Sequence, residues 1–184
     1  MLNHFDYLAA IYDRLLMHSD ITQINTLLEL PADCRLLDAA GGTGRVSHKL
    51  LASSGNTVVC DLSAKMLVKA QQKGMSTVQA SVETLPFPDQ SFDRILLVDA
   101  FHHIQHQAAA INELLRVLKQ PGRLVIEEPD ITRFLGKCAA FMEKLFMMHS
   151  NFVAPEDIVQ RISNTGRHAY IAKWSRFRAW IIVN

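Results

Sequence analysis

The sequence predicts an α/β fold in which a mostly parallel sheet carries helices on both faces and ends in an antiparallel strand pair. From Arg35 to Glu128, short apolar runs alternate with segments of helical periodicity, the pattern of parallel strands joined by crossover helices. Glycines crowd the stretch LLDAAGGTGRVS, Leu36 to Ser47, directly after the first apolar run and before a predicted helix. At the end of the chain, RHAYIAKWSRF and RAWIIVN follow each other too closely for a crossover helix, so they pair as an antiparallel hairpin.

Taken in order, NHFDYLAAIYDRLLMHS spaces Phe5, Leu8, Ala9, Tyr12, Leu15 and Leu16 as one face of an amphipathic helix. DITQINTLLEL reads as a second helix, with Asp20 as N-cap, Gln23 as its capping-box partner and Pro31 as its end. The alternation then runs strand RLLDAA, helix RVSHKLLASS, strand TVVCD, helix SAKMLVKAQQK, strand STVQAS, strand FDRILLVDA, helix QAAAINELLRVLK and strand RLVIEE. Gly55 and Gly74 stand at helix ends, and Pro121-Gly122 marks the turn into the fifth strand. ILLV has no polar face, as expected of a central strand covered on both sides. Beyond Asp130 comes a Met- and Phe-rich helical stretch, ITRFLGKCAAFMEKLFMMHS, and then PEDIVQRISNTG, a helix opened by Pro155 and closed by Gly166.

A chain of 184 residues, 49% of them hydrophobic, is read as a single domain, residues 1–184. Nineteen Lys and Arg against 18 Asp and Glu give a net charge of +1, which argues against a dedicated nucleic-acid surface or a polybasic membrane anchor. Cys34, Cys60 and Cys138 are too scattered for a disulfide framework or zinc knuckle, so a reducing cytoplasm is expected. No secretory leader and no integral membrane segment is expected.

Glycines before a helix N-terminus leave amide groups open to a ligand. A dinucleotide fingerprint would need a third spaced glycine, but GTGRVS ends in Ser47. Asp61 closes the second strand, where a carboxylate can accept both hydroxyls of a ribose, a feature of NAD and other adenosine ligands alike. The plainer alternative is a tight turn, with Asp61 capping the next helix.

The stretches LLDAAGGTG, VVCDLSAKML, VETLPFPDQSFDRILLVDAFHHI and ELLRVLKQPGRLVIEEPD, in this order, resemble the signature regions of the class I S-adenosylmethionine-dependent methyltransferases. The resemblance is closest to the branch containing the ubiquinone and menaquinone biosynthesis methyltransferases. It is strong over about residues 35 to 130 and looser at the ends. It implies a Rossmann-like, seven-stranded sheet with S-adenosylmethionine above the carboxyl ends of its first, second and fourth strands. Residues 1–30 would then be cofactor-covering helices, and residues 131–153 a substrate cover.

The resemblance assigns roles residue by residue. Asp38 would hold the ammonium of the methionine part. Ala40, Gly41, Gly42, Thr43 and Gly44 would pass beneath the ligand, with Gly42 and Gly44 bare because a Cβ would fill its space. Ala40 stands where most relatives carry glycine. Asp61, with Leu62 beside it, would take the ribose hydroxyls, and Met66 would pack on the adenine unless it simply fills core space. After the third strand Ser81, Val82 and Glu83 would meet the adenine edge, although relatives usually place an acid at Ser81. Tyr12, with Tyr7, would face the sulfonium from the covering helix.

Asp99 and Phe101-His102-His103 follow the fourth strand, where the transferable methyl should emerge. Spacing of His102 and His106 permits a metal pair, but no third ligand is evident and no metal is expected. The histidines could also be purely structural. As catalytic groups, His103 is the first candidate for a base and Asp99 the second. The implied reaction is in-line methyl transfer to a small or lipid-like acceptor, quinone-like by the resemblance, with positioning as the main source of rate. Phe134, Phe141, Met142, Phe146, Met147 and Met148 would line its cover, or else pack on the domain or on a second subunit of a homodimer. The alternatives are a noncatalytic S-adenosylmethionine-binding regulator and an NAD(P)-dependent oxidoreductase.

Overall fold

The computed structural model describes residues 19–31, 33–50, 56–145, 150–175 and 177–184, with the backbone alone at 139, 140 and 142–145. Tyr7, Tyr12 and the remainder of 1–18 lie outside the described residues, as do Gly55 and the side chains of Met142, Phe146, Met147 and Met148.

Seven strands form one sheet: β1 (Arg35–Ala39), β2 (Asn56–Asp61), β3 (Ser76–Gln79), β4 (Phe92–Val98), β5 (Leu118–Pro129), β6 (Ala169–Trp174) and β7 (Arg178–Val183). Their order is β3-β2-β1-β4-β5-β7-β6. The first five run parallel, whereas β7 is antiparallel to both β5 and β6. The helices are α1 (Ile21–Leu28), α2 (Ala64–Gln72), α3 (Gln107–Val117), α4 (Phe134–Leu145) and α5 (Pro155–Ser163). This is the architecture expected from the alternation of the sequence.

The apolar strands are explained by burial on both faces. Neighbouring residues on a strand point to opposite sides, and here they enter different cores. Leu37, Ile95, Leu97, Ile126 and Ile181 pack with Leu114 of α3 and Ile158 of α5. Leu36, Leu96, Val125, Trp180 and Ile182 pack on the other side with Ile24 and Leu28 of α1. Burying each such Leu or Ile side chain stabilises the fold by about 1.5–3 kcal/mol, which is why these strand positions are apolar.

Local differences from the sequence reading have identifiable causes. The segment from Arg45 begins with turns and a short 3₁₀ helix, Ser47–Leu50, rather than a regular α-helix. β5 starts at Leu118, ahead of Pro121-Gly122, because Leu118 already pairs with Phe92 before the register shifts between Phe92 and Arg94. Asp20 does cap α1, accepting from the Gln23 amide at 2.9 Å, but the Gln23 side chain turns away to Lys173. The reciprocal half of the capping box is therefore replaced by a contact to β6.

In an open α/β sheet, ligands bind where strand order reverses, outside the carboxyl ends of the strands. That reversal lies between β1 and β4.

Candidate functional site

A cavity of about 330 Å³ opens at this point, within the roughly 300–1,000 Å³ of ligand pockets. It is lined by the loops after β1, β2, β3 and β4.

The turn after β1 is held from two sides. The Gly41 amide donates to the Cys60 carbonyl at 3.1 Å, and Lys73 at the end of α2 donates to the Thr43 carbonyl at 3.0 Å. A Cβ on Gly41 would stand 2.4 Å from the Asp38 carboxyl carbon, so glycine here makes room for that carboxylate. Gly42 has φ +56°, and a Cβ on it would meet only Asp61 Oδ2 at 3.9 Å, because it faces the cavity. Ala40 shares the left-handed region at φ 51°, which explains why glycine suits its position.

Asp38 is 2% exposed, and its Oδ2 has no hydrogen-bond partner. Burial pushes its carboxyl up to about 6, with the Ser47 hydroxyl acting the other way, Asp61 adding to the rise and Arg45 opposing it. A ligand ammonium would supply both a donor and a compensating charge. Asp61 Oδ2 accepts from the Gly42 amide at 2.9 Å and its Oδ1 from the Ser63 amide at 2.8 Å. Those bonds fix the carboxylate at the cavity wall, and its oxygens retain lone pairs for hydroxyl donors. The helix-cap role falls to Ser63, which accepts from the Met66 amide at 3.2 Å. Met66 is buried and also lines the cavity, so its core and ligand readings coexist.

Ser81, Val82 and Glu83 reach the wall as expected. The Ser81 hydroxyl accepts from the Glu83 amide at 3.1 Å, and Glu83 accepts from the His106 amide at 2.9 Å, tying this loop to the start of α3. Leu62 lies at the rim, more than half exposed.

After β4, Asp99 adopts φ 51°. Its carboxylate contacts the Arg178 guanidinium and lies 3.5 Å from Arg45. Arg178 also donates to Glu127 at 2.7 Å, and Trp180 donates to the other Glu127 oxygen at 3.0 Å. Burial pushes Glu127 up to about 7 against the pull of Arg178. The neighbouring Glu128 accepts from the Ala100 and Phe101 amides at 2.9 and 2.8 Å and pairs with His102 Nδ1 at 2.6 Å. His102 stacks on Phe152 with ring centres 4.4 Å apart. This clamp presents His103 to the cavity, where its Nδ1 lies 3.3 Å from the Ser150 hydroxyl.

Most sequence-predicted residues therefore converge. Asp38, Ala40, Gly41, Gly42, Asp61, Leu62, Met66, Ser81, Val82, Glu83, Asp99 and His103 all line one cavity. Gly44 does not. A Cβ there would face Met75 and Ala70 at 3.3 and 3.4 Å, and its φ is +64°, so its bareness serves the left-handed turn and the packing beneath it rather than ligand space. Phe134 and Phe141 of α4 are 78% and 66% exposed and do not line the described cavity. Gly136 of the same helix packs on the Asp130 carbonyl, which a Cβ there would meet at 1.8 Å. From residues 131–153, Ser150 and Asn151 reach the post-β4 turn, Asn151 donating to the His102 carbonyl at 2.6 Å. Sequence reasoning missed Arg45 at the wall and the Glu127–Arg178 network behind it. The available signals were a lone cation straight after the glycines and charged residues in otherwise apolar strands.

Comparison with known proteins agrees with this geometry. Residues 37–126 match the family described as Methyltransferase domain. A ubiquinone/menaquinone biosynthesis C-methyltransferase UbiE from Pseudomonas paraeruginosa is 39% identical over 105 residues, 51% of this chain and 41% of that protein. The chain thus spans less than half the length of that curated relative. Among solved structures, a SAM-dependent methyltransferase from Thermotoga maritima superposes with TM-score 0.82 at 21% identity, over 97% of each chain. One from Archaeoglobus fulgidus superposes at 0.80 with 15% identity, covering 98% of this chain and 99% of its own. At these identities the structural likeness speaks for the fold.

Proposed function

We propose, from the premise that residues 37–126 are a methyltransferase domain in a class I S-adenosylmethionine-dependent methyltransferase fold, that this protein transfers a methyl group to a small or lipid-like acceptor by in-line displacement. The observation that carries the cofactor is the trio at the cavity wall: a buried Asp38 with an unpartnered oxygen, a Gly42 whose Cβ direction is open, and Asp61 fixed by two amides. These residues fit an adenosyl amino acid. Asp38 would accept from its ammonium, Asp61 from its ribose hydroxyls, and Met66 and Val82 would flank its base.

When bound, S-adenosylmethionine supplies a methyl on a sulfonium that leaves without acid assistance. The chain therefore has to orient the acceptor, exclude water and, for a phenol or carbon acid, remove a proton. His103 is the base in this reading. Ser150 lies beside Nδ1 at 3.3 Å and can accept its proton when the imidazole carries it there, the tautomer in which Nε2 is the acceptor. Asp99 is the second candidate, one of its oxygens being bonded to Arg178 and the other lying 3.5 Å from Arg45. The resemblance to quinone-biosynthesis C-methyltransferases supports a quinone-like acceptor. No described helix is long and apolar enough to cross a membrane, and the buried free thiols of Cys34 and Cys60 suit a cytoplasmic setting.

The test is turnover of labelled S-adenosylmethionine against phenols, quinols, thiols, amines and fatty acids, with wild type and His103→Ala in parallel. Transfer to a phenol or quinol, reduced about 10²-fold or more by His103→Ala and recovered at high pH with S-adenosylhomocysteine affinity unchanged, is the expected result. Full activity in the variant removes His103 from the mechanism. Tighter binding of NAD than of S-adenosylhomocysteine removes the cofactor assignment.

A further inference from the structure

Glu128 sits near the carboxyl end of β5, outside the lining of the described cavity, yet both oxygens of its carboxylate engage the turn that carries His103. The side chain is 2% exposed. Leu124, Val125 and Ile126 of the same strand are buried and apolar, so an acid in this run needs a reason. Burying a carboxylate is costly unless its oxygens are bonded. Here one oxygen accepts from the Ala100 and Phe101 amides, and the other meets His102 Nδ1 at 2.6 Å.

His102 transmits that hold. An ionised carboxylate only accepts, so the short contact places a proton on His102 Nδ1 and fixes the plane of the ring. Phe152 stacks on that ring at an interplanar angle of 7°, and the Asn151 amide donates to the His102 carbonyl. The ring of His103 rests against it, with centres 4.0 Å apart and planes inclined by 52°. The segment that supplies Ser150 to His103 is itself anchored, because Gln107 donates to the Asn151 carbonyl at 2.8 Å and to the Phe101 carbonyl at 3.2 Å. The turn after β4 and the 150–152 segment therefore share one reference point, the His102 ring, and Glu128 sets its orientation.

We propose that Glu128 is a positioning residue for His103 and acts through His102. The inference rests on the reading of His103 as the base and deepens it, because it makes proton removal from the acceptor depend on a carboxylate outside the cavity. Misplacing a reacting group by about 1 Å can cost about 10²-fold in rate. Without Glu128, the amides of Ala100 and Phe101 and the His102 ring lose their common acceptor together.

The experiment compares wild type, Glu128→Gln, His103→Ala and the double variant. Isotope-edited NMR of the histidine rings is recorded on the S-adenosylhomocysteine complexes, and turnover is measured with labelled S-adenosylmethionine and hydroquinone. Wild-type His102 should carry a proton on Nδ1. Glutamine keeps the shape and can still accept from the two amides, but its NH2 group donates toward His102, so the proton should move to Nε2 and the His103 resonances should shift. Turnover in Glu128→Gln should fall about 10-fold or more with S-adenosylhomocysteine affinity within about threefold, and the same substitution should cost less than about twofold in the His103→Ala background. Phe152→Leu loosens His102 from its other face and should lower turnover in the same direction, which keeps the test open if the glutamine variant does not fold. The spectra need no acceptor. Wild-type His102 protonated only at Nε2, unshifted His103 resonances in Glu128→Gln, or unchanged turnover in both Glu128→Gln and Phe152→Leu overturns the proposal. So does an equal loss in both backgrounds, while His103 stands as the base. Full turnover in His103→Ala overturns both readings.

Discussion

Replacing Asp38 by asparagine should stabilise the ligand-free protein at neutral pH and cripple its binding. The carboxylate is 2% exposed, and one oxygen lacks a partner. Burial raises it from 3.8 to about 6, and at about 1.4 kcal/mol per unit this corresponds to about 3 kcal/mol between the two protonation states. The sign follows from linkage. A folded-state value above the unfolded one means that the native state holds the proton more tightly. The group's stabilising contribution is then complete below pH 3.8 and is lost as pH rises to about 6. At pH 8 the ionised Asp38 therefore costs the apo protein up to about 3 kcal/mol, which the isosteric amide avoids. Urea unfolding of both proteins across pH 4 to 8 should show asparagine gaining on wild type as pH rises through this window. S-adenosylhomocysteine affinity in the variant should fall about 10-fold or more through loss of the charged acceptor. Wild-type affinity should itself weaken below about pH 6, as protonation removes that acceptor. A stability difference that does not vary with pH, or an asparagine variant that binds as well as wild type, would refute the argument.

Gly42→Val should abolish S-adenosylhomocysteine binding with circular dichroism unchanged, since its side chain enters the cavity and its φ of +56° adds about 1–2 kcal/mol of backbone strain; normal binding would make the turn merely structural. Asp61→Ala should weaken the same ligand by about 1.5–3 kcal/mol in calorimetry. It also releases the Gly42 and Ser63 amides, so faster hydrogen exchange at both should accompany the loss, and unchanged affinity would remove Asp61 from the site.

How much of this was legible depends on the distance over which each feature is encoded. The parallel core could be read because ILLV and its neighbours are buried on both faces, and the hairpin at Ala169–Val183 because too little chain separates its strands. The cavity wall could be read because LLDAAGGTG and VVCDLSAKML resemble signature stretches of a known family, and the resemblance assigned Asp38, Gly42 and Asp61 to it. The polar floor could not. Arg178 meets Glu127 and Asp99 across 51 and 79 residues of sequence, and nothing local distinguishes such partners from surface charges. Asp99 was read as a second candidate base with no sign of its Arg178 partner. The exposed rings of α4 escaped for a related reason. Periodicity marks an apolar helix but does not contain a tertiary contact such as Gly136 on Asp130.

The glycines of the signature turn show why a motif match and a physical account are different statements. Gly41 is bare because the Asp38 carboxylate occupies the place of its Cβ, so a side chain there displaces that carboxylate first. Gly42 is bare because the backbone is left-handed and its open side is the cavity itself. Gly44 is bare because its backbone is also left-handed, at φ +64°, and a Cβ there would stand 3.3, 3.4 and 3.5 Å from Met75, Ala70 and Val59 of the neighbouring core. Substitutions at the three positions thus act on the Asp38 carboxylate, on the cavity space and on the turn with its core packing. Only the second reports directly on whether an adenosyl ligand lies against this backbone, which makes Gly42, rather than the motif as a whole, the position on which the cofactor assignment depends.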